Sequence, residues 1–347
     1  METEDILIDN EKKPRRLIWF ILRIAIAAGI ILWLIGKGYS DLAEAISQFN
    51  FIWLLPSLVL YFLHLLVCGW RWRLLLKVQK IKITFFESFS LIMKGFFFSL
   101  VLPGGAIGGD IARASLIASK APKGSRFEGT FSILMDRFVG MLALFSFAIV
   151  VILISLPILR EVKGIMEMAV YALVLGAFCG LGSGLVMLFI HKLEKIKVIA
   201  FFISLADRYS NGMVSRLTRT LDVYRNSVKT VILTIVVSIF LIHMNMVAVV
   251  YCIARGISHE KIAPDTMLVA VTIGNTAGLI PLTPSGVGTR DAIMKTLLQA
   301  GGFSKADAVG TAIIYTAIIL SFNLLGGVFF IFASDFEKNI YVRKEET

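Results

Sequence analysis

Charged residues are scarce. They make up 17% of the 347 residues, where an ordinary soluble domain carries about 25%. So few ionic groups cannot cover a water-facing surface, and a soluble enzyme of this size is excluded. Cysteine is scarcer still. Cys68, Cys179 and Cys252 are scattered through apolar runs, with neither the even count of a disulfide framework nor the spacing of a metal site. Of the four histidines, His191 stands alone at the end of an apolar run. His259-Glu260 opens a zinc-protease pattern, but Ala263 occupies the place of the second histidine. Neither a Gly-x-Ser-x-Gly elbow nor a phosphate loop occurs. The expectation is therefore no catalytic residue, no metal and no cofactor.

What the sequence has is apolar length. Hydrophobic residues make up 57% of the chain, and they recur in runs of about 20, the length of a membrane-crossing helix. Runs such as Val139 to Leu156 are apolar on every face, whereas a transmembrane barrel strand alternates. The fold class is an all-α polytopic membrane protein. The net charge of +11 comes from Lys and Arg beside the ends of the runs. That pattern fits a topology signal facing anionic lipid and implies no nucleic-acid partner. The first run, Leu17 to Gly36, exceeds a signal-peptide core of about 7–15 residues and reads as an uncleaved first helix.

Six stretches are long enough to cross, at about 17–36, 51–70, 128–156, 165–190, 230–254 and 306–333. Two more, about 84–118 and 265–300, are apolar but broken in the middle. The bias of Lys and Arg toward the cytoplasm decides how the broken stretches run. Lys12 to Arg16 place the N-terminus inside, and the second crossing returns inside at Arg71, Arg73, Lys77, Lys80 and Lys82. If 84–118 crossed completely, Arg113, Lys120, Lys123 and Arg126 would lie outside. A turn at Pro103-Gly104-Gly105 keeps them inside. The same count makes 265–300 enter from outside, turn between Pro281 and Gly288, and retreat. Lys338, Arg343 and Lys344 then put the C-terminus inside.

The expected organisation is a cytoplasmic tail (1–16), a membrane domain (17–333) and a second cytoplasmic tail (334–347) in a multi-pass protein of the cell membrane. A cytoplasmic amphipathic segment is expected over about 193–228. Within it Leu205, Tyr209, Met213, Leu217, Leu221, Tyr224 and Val228 recur at helical spacing between arginines, as an interfacial helix or as a connector packed on the bundle. A shorter surface helix is expected around Leu42, Ile46 and Phe49.

The two breaks echo each other. Pro103-Gly-Gly-Ala-Ile-Gly-Gly-Asp110 and Pro284-Ser-Gly-Val-Gly-Thr-Arg-Asp291 both read proline, any residue, glycine, then aspartate seven positions after the proline. Entered from opposite faces, the broken stretches form two oppositely oriented re-entrant hairpins, an inverted repeat of the sort that builds transporter sites near the midplane. Irregular backbone at that depth must be buried in protein or line a wet cavity. Glycine permits close approach, proline ends the incoming half-helix, and Asp110 or Thr289 is expected to cap the outgoing one. Free N–H groups and the positive helix ends make an anion site. The candidate binding residues are Gly104, Gly105, Gly108, Gly109, Asp110 and Arg113 in the first turn. In the second they are Pro284, Ser285, Gly286, Gly288, Thr289, Arg290 and Asp291. Arg113 and Arg290 suit bidentate contact with phosphate; the alternative is that each merely pairs with its neighbouring aspartate. Asp136-Arg137, about nine residues into a crossing, completes the set, because charges that deep face the bundle interior or a water path; the alternative is a helix-to-helix ion pair. Lys94, His64, His243, Asn245, Asn275 and Asn323 are expected to make interhelical hydrogen bonds.

On Leu102 to Arg113, on Asp136-Arg-Phe-Val-Gly140 and on Pro281 to Asp291, the chain resembles the flippase-like integral membrane family that includes the transmembrane region of lysylphosphatidylglycerol synthases. The family more often has Glu at the positions of Asp136 and Asp291 and a second glycine at Ser285. The resemblance runs from about 17 to 333. It implies a bacterial or archaeal protein handling lipids with anionic or polar headgroups. Some family members carry a soluble aminoacyl-transferase domain, others a glycosyltransferase domain. The expectation here is the lipid-moving part alone: a flippase or scramblase for a phospholipid or a polyprenyl-phosphate-linked lipid. The alternatives are the membrane part of, or a partner to, an aminoacyl-phosphatidylglycerol synthase or a lipid-linked glycosyltransferase. Lipid and a separate transferase are the expected partners.

Overall fold

The computed structural model describes residues 39–102, 105–122, 124–163, 165–188, 207, 209, 212–258, 262–279 and 288–345. The run expected at 17–36, most of the basic segment after 190, and the turn residues Pro103, Gly104, Pro284, Ser285 and Gly286 lie outside them. The described elements are helical. In order they are α1 (Tyr39–Ser47), α2 (Leu54–Val78), α3 (Phe85–Val101), α4 (Ala106–Lys120), α5 (Arg126–Ile154), α6 (Leu156–Glu161), α7 (Ile165–Leu188), α8 (Met213–Asn226), α9 (Val228–Ile257), α10 (Pro264–Ala277), α11 (Thr289–Ala300) and α12 (Lys305–Glu345). Among the described residues, four segments are long and apolar enough to cross a membrane: Phe51–Val78, Arg126–Ile154, Val228–Ile257 and Lys305–Ile331. They coincide with four of the six expected crossings, and α7 coincides with a fifth.

Both broken stretches fold as helical hairpins. Thr84 and Glu87 cap the start of α3 reciprocally, and the helix ends at Leu102, whose backbone is extended. Gly105, at φ 56°, then starts α4, a conformation that favours glycine. The two arms pack antiparallel at glycine. A Cβ on Gly109 would strike the carbonyl oxygen of Gly95, and one on Gly95 would strike the Arg113 side chain. In the second hairpin, Gly274 of α10 lies against Arg290 and Met294 of α11, and Gly278, just past the end of α10, against Arg290.

α12 is the ruler against which both hairpins are read. Along α3, Phe86 packs tilted and Phe89 edge-on against Phe329, Met93 meets Gly326, and Leu100 clusters with Leu320. At the other hairpin, Arg290 and Asp291 bond to Thr316. Leu100, before the first break, and Arg290 and Asp291, after the second, thus meet α12 about one turn apart, with α3 extending along its later half. The main core packs α9, α10, α11 and α12 around Val250, Ile253, Val271, Leu297 and Tyr315.

Of the two expected surface helices, α1 buries Ala45 beside Gly310, and the following Phe49 is buried beside Gly256. In α8, Leu217, Leu221 and Tyr224 pack on Leu75 and Phe131. This part of the amphipathic segment is therefore a connector docked on the bundle, while Tyr209 and Met213 stay exposed. In the first turn of α8, the hydroxyl and backbone N–H of Ser215 both donate to Asp207, which precedes the helix, and hold its carboxyl below the usual range. A carboxyl with a depressed folded pKa stabilises above its unfolded value, and that contribution fades as pH falls through the folded one.

Candidate functional site

Around the first hairpin tip, α2, α4 and α5 bring together three arginines and two aspartates. Asp136, on α5, is 3% exposed and sits between two guanidinium groups. Arg71 Nε donates to its Oδ1 at 2.9 Å, and Arg113 Nη2 to its Oδ2 at 3.4 Å. Arg113 also faces Asp110 Oδ1 at 3.5 Å. Arg137 Nε is bonded directly to Asp110 Oδ2, and its Nη2 donates to the Ala106 carbonyl at 3.0 Å, in the first turn of α4. The Arg137 side chain is 38% exposed, the most accessible of the five.

The surroundings fix these groups in place. Arg71 Nη1 donates to Ser238 Oγ at 3.1 Å, and Ser238 bonds back to the Thr234 carbonyl. A π-helical turn, Ile239–Met244, begins at the next residue. Such turns are rare and recur at functional sites. The Arg113 guanidinium lies 4.3 Å from the centroid of the Trp72 ring, within cation–π range, and Trp72 Nε1 donates to Ser132 at 3.0 Å.

The second tip forms a closed triangle. Arg290, 4% exposed, donates through Nε to Asp291 Oδ1 at 3.0 Å and through Nη2 to the Thr316 hydroxyl. Thr316 donates to the same Asp291 oxygen at 2.7 Å. Asp291 Oδ2 accepts the Gly288 N–H at 3.0 Å. Arg290 also lies 4.8 Å from the Tyr315 ring centroid, and the Tyr315 hydroxyl donates to Asn275 Oδ1 at 3.3 Å.

The sequence-derived set therefore divides. Asp110, Arg113, Asp136 and Arg137 come together with buried Gly105, Gly108 and Gly109. Gly288, Thr289, Arg290 and Asp291 gather at the second tip. For Arg290 the neighbour pairing holds. Arg113 instead reaches across to Asp136 and leaves Asp110 chiefly to Arg137. The expected caps are corrected. Neither Asp110 nor Thr289 caps its helix: the N-cap positions are Gly105 and Gly288, which have no side chain to offer, and the Asp291 carboxylate takes up the Gly288 N–H. Among the secondary candidates, Asn245 donates to the Leu60 carbonyl and His243 contacts the Gly140 carbonyl, both between helices. His64 meets only Cys68 of its own helix among the bonds described.

Arg71 is the residue that sequence reasoning passed over. It reads as a marker of the cytoplasmic face, but α2 continues to Val78 and Arg71 is 7% exposed. The signal was its spacing. Cys68, Arg71, Trp72 and Leu75 recur at threes and fours on the face of α2 that is buried.

Over residues 20–327 the sequence matches the family described as lysylphosphatidylglycerol synthase TM region. No match was found among curated proteins or among solved structures.

Proposed function

This chain belongs to the lysylphosphatidylglycerol synthase TM-region family, and from that membership and the site geometry we propose that it is a lipid translocase, flippase- or scramblase-like. In this reading it moves a phospholipid with a polar headgroup, or a polyprenyl-phosphate-linked lipid, across the cell membrane, with both termini in the cytoplasm. Helix length supports the re-entrant part. The hairpin arms hold 17, 15, 14 and 12 residues. At 1.5 Å per residue they reach about 18–26 Å, short of a hydrocarbon core of about 30 Å. Contact of α3 along the later half of α12, with the second hairpin meeting the same helix at Tyr315 and Thr316, supports reading the hairpins as an inverted repeat.

One observation carries the proposal: the buried arginine-rich network at the first tip. Ionised groups at that depth are expensive in hydrocarbon and mark polar pathways. A headgroup crossing bare lipid loses its hydration with no partner in exchange; guanidinium groups beside the tips replace those partners. The proposed contacts are Gly104, Gly105, Gly108, Gly109, Asp110, Arg113, Asp136 and Arg137 from the first tip. The second tip contributes Pro284, Ser285, Gly286, Gly288, Thr289, Arg290 and Asp291.

Proteoliposomes containing the purified chain and fluorescent lipids of several headgroups test the proposal. The expected result is faster exchange between leaflets than in empty vesicles; no acceleration for any headgroup overturns it. The family description favours a second reading, in which the chain is the membrane part of, or a partner to, an aminoacyl-phosphatidylglycerol synthase or a lipid-linked glycosyltransferase. A stable co-purifying transferase, with no flux from the chain alone, is the result that reading expects.

A further inference from the structure

The ion pairs at the first tip are unequal. Each aspartate has one close arginine: Arg71 for Asp136, at 2.9 Å, and Arg137 for Asp110, in direct contact. Arg113 meets the same two carboxylates at 3.4 and 3.5 Å, longer than the usual 2.7–2.9 Å of a charge-assisted hydrogen bond. Its Nε is buried with no hydrogen-bond partner, although its side chain is only 9% exposed. Trp72 covers the guanidinium but its ring offers no acceptor to that N–H. Gly95 leaves the room in which the Arg113 stem lies.

Among the groups joined by these ion pairs, three guanidinium charges less two carboxylate charges leave one positive charge. At the second tip Arg290 and Asp291 cancel. An unbalanced charge in a poorly hydrated site is costly. One negative charge removes the imbalance, a zwitterion leaves it, and two negative charges reverse it.

We infer that Arg113 is the guanidinium handed over to an anionic headgroup, that Arg71 and Arg137 are positioning residues which occupy Asp136 and Asp110 so that Arg113 is available, and that the site prefers a singly charged phosphodiester to a phosphomonoester. This rests on the proposal that the hairpin site receives a lipid headgroup. Arg71 suits its role because its fork bonds Asp136 and Ser238 together, which a single ammonium point charge does poorly.

The test measures binding, not transport. The full-length chain in a neutral maltoside detergent is titrated calorimetrically with dihexanoyl phosphatidylglycerol, phosphatidylcholine and, at mildly alkaline pH, phosphatidic acid. Phosphatidylglycerol is expected to bind about tenfold more tightly than either of the others. Arg113→Gln leaves two matched pairs and loses the preference; Arg113→Lys keeps the charge and retains it. Arg71→Gln also loses the preference, although Arg113 is present, because Asp136 now holds Arg113. The double variant Arg71→Gln/Asp136→Asn restores one net positive charge and regains the preference, a rescue that a purely structural role for Arg71 does not predict. An unchanged preference in Arg113→Gln overturns the inference. So does a double variant that unfolds at the wild-type temperature yet shows no recovery. Charge-dependent binding without flux would sink the transport reading alone; flux without this charge preference would sink only the present inference.

Discussion

Asp136→Ala is expected to lower stability by about 3–5 kcal/mol, the range for removing one partner of a buried ion pair. The carboxylate is shared. Its loss strips Arg71 of its closest acceptor and Arg113 of one of two, and both guanidinium groups stay behind in a region with little water. Ser238 remains bonded to Arg71, but a neutral hydroxyl does not compensate a charge. Unfolding in mixed micelles is the measurement. Adding Arg71→Met should recover part of the loss, since an apolar side chain of similar length fills the site without the charge. Equal stability of Asp136→Ala and wild type would mean that water reaches the network and that its low exposure is misleading.

Asp291→Ala is expected to cost nearly as much, again about 3–5 kcal/mol, by a different route. Asp291 accepts from Arg290 Nε, the Thr316 hydroxyl and the Gly288 N–H. One truncation therefore opens the triangle, frees the Gly288 N–H at the start of α11, and leaves the tip tied to α12 only through Arg290, on Thr316 and Tyr315, among the side-chain contacts described. Asp291→Asn keeps an acceptor oxygen but not the charge, so it should fall between alanine and wild type. Hydrogen exchange separates this effect from a general loss of stability: amides in the first turn of α11 should lose protection before those of α9. If Asp291→Ala weakens α9 and α11 alike, the tip is not held locally by this carboxylate.

Much of this architecture can be read from residue order because the bilayer leaves few choices. The apolar stretch at 84–118 is visibly interrupted in residue order by proline and glycine, and α3 and α4 fold as a hairpin on either side of that interruption. Asp136-Arg137 announces itself by depth alone. What residue order conceals is partner choice. Arg113 is three residues from Asp110, yet its second carboxylate lies on α5. Arg71 is hidden by company: it precedes Arg73, Lys77, Lys80 and Lys82, so counting charge assigns it to a membrane face. Only the length of α2 and the burial of its Cys68–Trp72 face reveal that it points inward. The glycine caps are missed for a related reason. Asp110 and Thr289 suit an N-cap by residue type, but Gly105 at φ 56° and Gly288 at φ 93° take those positions.

Two hairpins that enter from opposite leaflets and meet midway are the premise of the site, and site-directed thiol labelling in sealed vesicles tests it most directly. In a background with Cys68, Cys179 and Cys252 replaced, single cysteines are placed at Lys82 and Ser119, flanking the first hairpin, and at Ala263 and Gly302, flanking the second. The account predicts that Lys82→Cys and Ser119→Cys react with an impermeant reagent from one side only, and Ala263→Cys and Gly302→Cys from the other side only. Labelling of either pair from both sides of the membrane, one member from each, would show a hairpin crossing completely and would contradict it.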